Sequence, residues 1–177
     1  MAPLLWYFWI YSFLGWLTEL AFAAASRSEE KRRRCLLLLP LCPVYGLGML
    51  AVLALPPMGG LELAVFGGLA ATAVEYAYHW AGERFLGVRF WDYAQVPGSL
   101  QGRVCLPFTL AWGLLVWAAA RFVQPGAAAL AETAPAWLTY LFLLVFTADA
   151  VCSIRFLRVT GDLQALRRAL TQTTWNR

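Results

Sequence analysis

Residues 137–156 read WLTYLFLLVFTADAVCSIRF. Only Asp149 and Arg155 carry charge in this run. A hydrocarbon core about 30 Å thick is crossed by about 20 apolar residues of α-helix, so the stretch reads as a transmembrane helix. Working outward, four more stretches have the same character: Leu4–Ala25, Cys35–Leu55, Leu61–Gly82 and Val104–Val123. The segments between them are connectors by their chemistry. Residues 26–34 are a charge run, Pro56-Pro57 closes the second stretch, and Pro125-Gly126 and Pro135 bracket the fourth connector. Pro135 suits the first turn of the last helix, where its missing N–H costs nothing. The reading is an all-α integral membrane protein, a bundle of about five transmembrane helices over residues 1–157, followed by a short cytoplasmic amphipathic tail at 158–177.

Composition agrees. Of the 177 residues, 61% are hydrophobic and 14% charged, against roughly 45–50% and about 25% in globular averages. Mean hydropathy is +0.61. Disorder, coiled coil and a secreted disulfide scaffold are excluded, and the polar residues are too few to cover a soluble enzyme.

The basic residues set a direction. With five spans, thirteen of the 14 Lys and Arg fall on one side: Arg27, Lys31, Arg32, Arg33 and Arg34; Arg84, Arg89 and Arg103; and Arg155, Arg158, Arg167, Arg168 and Arg177. Arg121 alone faces the other. The N-terminus is therefore expected outside and the C-terminus in the cytoplasm of a plasma-membrane protein, with Trp6, Tyr7, Trp9, Tyr11, Trp137 and Tyr140 as an outer aromatic belt. Ala23-Ala24-Ala25 resembles a signal-peptide cleavage site, but no basic n-region precedes it, so retention of the first span is expected. The net charge of +4 is a collar facing anionic lipid, not a nucleic-acid footprint. In the tail, Leu163, Leu166 and Leu170 share a helical face beside Arg167 and Arg168, as in an interfacial amphipathic helix.

Ionisable groups inside spans are costly, and they mark ion pathways, proton relays and ligand sites. Here they are Glu19, Glu75, His79 and Asp149. Counted from the cytoplasmic ends of their spans, Glu19 and Asp149 lie ~9 Å deep, Cys42 ~10 Å and Glu75 ~12 Å, with Tyr45 a turn beyond Cys42. Equal depth on four spans points to one polar site open toward the cytoplasm, and predicts that Glu19, Glu75 and Asp149 approach one another. Glu75, His79 and Glu83, spaced i, i+4, i+8, climb one helical face. Pro40, Pro43 and Pro107 put irregular backbone in the same layer, where it is tolerated if buried in protein or lining a cavity. The connector 84–103, with Phe85, Phe90, Trp91 and Tyr93, is expected to fold back on the bundle as a lid or an interfacial cytoplasmic segment. Arg103 is placed to meet the carboxylates or an anionic headgroup.

Motif chemistry narrows the field. No Gly-x-x-x-x-Gly-Lys precedes the single lysine, Lys31, and one histidine excludes His-Glu-x-x-His zinc chemistry. No Gly-x-Ser-x-Gly elbow exists. The four cysteines lie on the cytoplasmic half, where disulfides are rare, and none forms Cys-x-x-Cys.

The stretch from Tyr11 to Glu19, YSFLGWLTE, resembles the opening motif of the ABC-transporter type IV (CmpB) family, as does Cys42-Pro43-Val44-Tyr45-Gly46. Glu75-Tyr76 through Glu83, Trp91-Asp92-Tyr93, Gly102-Arg103-Val104-Cys105-Leu106 and Trp112-Gly113 follow in the family's order, and Asp149 with Ser153 resembles its closing motif. The likeness covers roughly Tyr7 to Ser153. The chain departs from the pattern at Leu39, Ala94, Ser99 and His79. The resemblance implies a membrane protein of permease type. It carries over Glu19, Cys42, Tyr45, Glu75, Glu83, Asp92, Arg103, Cys105 and Asp149 as ligand-binding residues.

The expectation is a permease or transporter subunit binding a small cationic solute, since Glu19, Glu75 and Asp149 outnumber Arg103. No cofactor is expected beyond a bound cation. Membrane lipid, a separate ATPase subunit and further copies of the chain are the expected partners. The alternatives are a membrane-embedded enzyme acting on a lipid or isoprenoid headgroup, with Tyr93 and Arg103 in acid–base and phosphate-binding roles, and a non-catalytic scaffold in which the polar layer only joins helices.

Overall fold

A computed structural model describes residues 2–26, 35–163 and 165, and the regular structure among them is helical. The charge run 27–34 and the tail helix, with Leu166, Leu170, Arg167, Arg168 and Arg177, lie outside the described residues. Five helices follow in order. Helix α1 is Ala2–Ser26 and α2 is Pro43–Leu53. Helix α3 runs through 60–86 with π-helical turns at Leu63–Gly67 and Gly82–Leu86. Helix α4 is Leu106–Thr133 and α5 is Ala136–Thr160.

Three of these, α1, α4 and α5, are long and apolar enough to cross a membrane. Among the described residues the number of helices is the five expected, and three of them meet the length and composition of a span. The predicted span Cys35–Leu55 is helical only from Pro43 to Leu53, 11 residues, or ~16 Å of rise, about half a bilayer core. Helix α3 has the length but carries Glu62, Glu75, His79 and Glu83.

The backbone before α2 shows why it need not be helical. Asp149 accepts from Leu38 N–H at 3.1 Å and Leu39 N–H at 3.0 Å. Leu41 N–H donates to Leu39 O at 2.7 Å, and Cys42 N–H to Ser12 O at 2.8 Å. Pro40 and Pro43 have no N–H to satisfy. Every amide from 38 to 43 is therefore accounted for without helix, as a dry setting requires. Pro43 then opens α2 in its first turn, where proline is favoured.

The second correction concerns Pro125-Gly126. It brackets no connector, because α4 continues through it to Thr133. The π-helical turn Ala119–Val123 lies immediately before it, so Pro125 enters in the first turn of a renewed α segment. Its missing N–H and ring therefore do not break the helix interior. The true break is residues 134–135, with Pro135 extended at ψ 144°.

Helices α1–α4 enclose a core of Tyr11, Met49, Val52, Ala71, Trp112 and Val116. Tyr11 Oη also donates to Gln124 Oε1 at 2.8 Å, tying α1 to α4. Helix α5 joins at two ends. At one, Leu138 and Phe146 pack on the cluster of Trp6, Trp9 and Ala131, and Trp6 Nε1 donates to Thr139 Oγ1 at 2.9 Å. At the other, Leu157 and Leu163 bury against Val88 and Phe90. On the outer side of α5, Leu141, Leu144 and Val145 stay exposed, which suits a helix whose solvent is hydrocarbon.

Gly87 ends α3 at φ +67°, a left-handed position open to glycine without strain. Beyond it, residues 87–105 form an irregular connector folded back on the bundle. Val88, Phe90 and Tyr93 are buried, while Phe85, still on α3, points outward.

Candidate functional site

Two buried carboxylates define the site. Glu19 lies on α1, and Tyr45 of α2 donates its hydroxyl to Glu19 Oε1 at 2.7 Å. A Cβ on Gly15, one turn before Glu19, would overlap the Tyr45 ring. The glycine therefore lets the tyrosine cross α1 to reach the carboxylate. Glu75 on α3 is fully buried. Trp112 Nε1 of α4 donates to Glu75 Oε2 at 2.8 Å, and Tyr93 Oη of the connector stands 3.5 Å from Glu75 Oε1. The two halves meet through their donors, since the Tyr45 and Trp112 rings lie 4.8 Å apart. A continuous layer thus runs Glu19–Tyr45–Trp112–Glu75–Tyr93 across four helices and the connector. Tyr45 and Trp112 orient these carboxylates through hydroxyl and indole hydrogen bonds.

A second polar cluster lies at the connector end of α3. Arg103 Nε donates to Glu83 Oε2 at 2.8 Å, and Arg89 Nε lies 2.9 Å from Glu83 Oε1. Arg103 also donates to Tyr76 Oη at 2.7 Å and to Gln101 Oε1, with its guanidinium 5.1 Å over the Tyr76 ring. Arg103 is thereby committed to Glu83. Burial alone would raise the Glu83 carboxyl, but the Arg103 hydrogen bond and the charges of Arg103 and Arg89 hold it below its ordinary value of 4.5. A depressed folded-state value contributes stability that is complete above the unfolded value and is lost as pH falls through the folded one. Thermal unfolding scanned from about pH 7 to about pH 3 should therefore hold steady and then fall more steeply in the wild type than in Glu83→Gln.

The remaining predicted residues divide. Asp92 is exposed and makes a turn, accepting Ala94 N–H at 2.9 Å and pairing with Arg89 at 3.2 Å. Its neighbours do more. Trp91 Nε1 donates to Arg103 O at 2.7 Å, and Tyr93 reaches Glu75. Cys42 is buried beside Cys35 and Val44, with Trp16, Tyr45, Tyr78 and Trp91 packed around them. Cys105 caps α4 in extended conformation, and its carbonyl accepts from Thr109 N–H and Oγ1 at 3.0 and 3.1 Å. Asp149 is spent on the amides of Leu38 and Leu39 and on Ser153 Oγ at 3.1 Å. Its described hydrogen bonds go to these groups and not to the layer of Glu19 and Glu75. Among the described residues, no group of three or more His, Cys, Asp and Glu is placed to hold a metal ion.

Depth counting from the sequence overlooked Trp112, which bridges the two halves. Its signal was the glycine beside it. A Cβ on Gly68 would come within 2.8 Å of Gly113 Cα, so α3 and α4 cross nearly backbone to backbone, and that crossing brings Trp112 to Glu75.

A family model described as Putative ABC-transporter type IV matches residues 6–154. That range holds every residue of the layer and of the Glu83 cluster. No curated protein and no solved structure matches the chain.

Proposed function

The chain belongs to the ABC-transporter type IV family, and from that premise we propose that it is a membrane-embedded transporter subunit binding a small cationic solute between Glu19 and Glu75. The observation that carries this is the layer itself. Two carboxylates from different helices lie buried on either side of a Tyr45–Trp112 ring pair and accept hydrogen bonds from those two side chains. Carboxylates kept from water either meet a cation or take up protons, and aromatic faces beside them favour a cation further. The chain has no nucleotide-binding loop, so an ATPase would be a separate subunit. The short α2 favours work in a complex or as several copies.

The site opens toward the cytoplasm in this reading. Leu157 packs on Val88 and Phe90, so Arg155 and Arg158 share an end of the bundle with Arg84, Arg89 and Arg103. By the positive-inside rule that end faces the cytoplasm of a plasma membrane.

The test is thermal unfolding of the purified protein with sodium, magnesium or tetramethylammonium chloride, at several pH values. A cation at about a hundred times its Kd stabilises by about 2.7 kcal/mol, a shift of several degrees. Glu75→Gln keeps an oxygen for Trp112 but loses the charge, so it should fold and lose the shift. A wild type indifferent to all three cations and to pH, with a more stable Glu75→Gln, leaves the layer as helix glue and ends the proposal.

A further inference from the structure

Glu75, His79 and Glu83 repeat every four residues along one face of α3, a turn apart. Glu75 and His79 are fully buried, while the Glu83 side chain is 24% exposed. The line therefore runs from the interior to water. His79 Nε2 stands 3.4 Å from Glu83 Oε1, within ion-pair reach but outside hydrogen-bond geometry, and Nδ1 has no hydrogen-bond partner. An imidazole buried this way loses its hydration with no hydrogen bond in exchange, so packing alone would be better served by leucine. The connector holds the ring in place, with Trp91 at 4.8 Å and Phe90 at 6.2 Å between ring centroids.

We propose that Glu75, His79 and Glu83 form a proton-transfer line joining the buried carboxylate layer to the aqueous end of the bundle. A proton from water binds the Glu83 carboxylate and passes to His79 Nε2. The imidazolium releases its Nδ1 proton toward the Glu75 carboxylate, through a water where the gap exceeds a hydrogen bond. This leaves the ring as its Nε2–H tautomer; a flip of the ring restores the starting arrangement, and one proton has moved with no redox change. Among the described residues, the charged groups around His79 are Glu75 and Glu83 on its own helix and Arg89 and Arg103 from the connector, both paired with Glu83. Tyr93 of the connector and Trp112 of α4 meet Glu75 at the inner end. The line supplies a coupling ion to the transporter reading but does not rest on it, because its test contains no solute.

His79 is the single histidine of the chain, so nitrogen-15 labelling of histidine gives one imidazole to follow. The full chain in lipid nanodiscs would be scanned from about pH 5 to about pH 9, the range where imidazole titrates. The proposal expects the ring to titrate there despite full burial. It expects exchange of the ring N–H with solvent to slow roughly tenfold in Glu83→Gln and to return in Glu83→Asp, which keeps a proton-carrying carboxyl. It also expects Glu75→Gln to lower the ring's midpoint by about one pH unit. Arg89→Gln, which removes an ion pair to Glu83 but no member of the line, should leave exchange fast. A ring neutral throughout, exchange equally fast in Glu83→Gln, no rescue by Glu83→Asp, or a midpoint unmoved by Glu75→Gln each overturns the proposal.

Discussion

Asp149→Ala is expected to lower the thermal unfolding temperature by roughly 10 °C and to release the segment 35–42 from the bundle. The substitution strips the acceptors from Leu38 and Leu39 N–H and from Ser153 Oγ. Hydrogen bonds to a charged group contribute about 1.5–3 kcal/mol each. Losing two of them in a non-additive pair costs about 3–5 kcal/mol, and for a chain of this size each kcal/mol moves the midpoint by about 2–4 °C. The segment cannot compensate by becoming helical, because Pro40 and Pro43 block the hydrogen-bond ladder. Asp149→Asn keeps one acceptor oxygen and should fall about half as far. Cys35 and Cys42, buried in the native protein, report the release, since maleimide labelling followed by mass spectrometry should find both thiols reactive in Asp149→Ala. An unchanged midpoint combined with lost cation response would instead place Asp149 in the solute layer.

That contrast shows where sequence reasoning reached and where it stopped. Run length and charge identified the apolar helices, because a span is a local property of about 20 residues. The same reasoning extended the second span back to Cys35, since apolar composition cannot distinguish helix from extended backbone in Leu36–Cys42. Two prolines flagged the irregularity, but what satisfies that backbone lies more than 100 residues away, at Asp149. Equal depth brought Glu19 and Glu75 into one layer. Depth fixes only one coordinate, however, and the rotation of each helix about its axis decides the rest. Asp149, expected at the same depth, makes hydrogen bonds to the segment 38–39. The connector's aromatics made its packing back on the bundle legible. Its Arg103 was expected at the carboxylates or a headgroup, and the carboxylate it meets is Glu83, at its own end of α3, which holds the guanidinium in a fixed geometry.

The crossing of α3 and α4 carries the other large effect. In a bilayer, helices associate through close packing and not through a hydrophobic drive, so small residues at a crossing do what a core does in water. At Gly68 the nearest obstacles to a side chain are backbone atoms, Gly113 Cα at 2.8 Å and Gly113 N at 2.9 Å. Backbone cannot rotate aside as a side chain can, so any Cβ drives the helices apart. The reverse site is as tight, since a Cβ on Gly113 would come within 2.7 Å of Ala64 O. Gly68→Val is therefore expected to destabilise by about 3 kcal/mol or more, at the upper end of overpacking costs. It should also lengthen the 2.8 Å hydrogen bond from Trp112 to Glu75, so any cation-induced stabilisation disappears along with the lost stability. Gly126 is the internal comparison: it lies on α4, and a Cβ added there would meet nothing within 4 Å. Gly126→Ala should gain about 0.5–1 kcal/mol from helix propensity. Thermal unfolding of the two variants measures both signs in one helix pair. A Gly68→Val protein as stable as wild type, with its cation response intact, would mean that α3 and α4 do not cross at these glycines and that Trp112 does not reach Glu75.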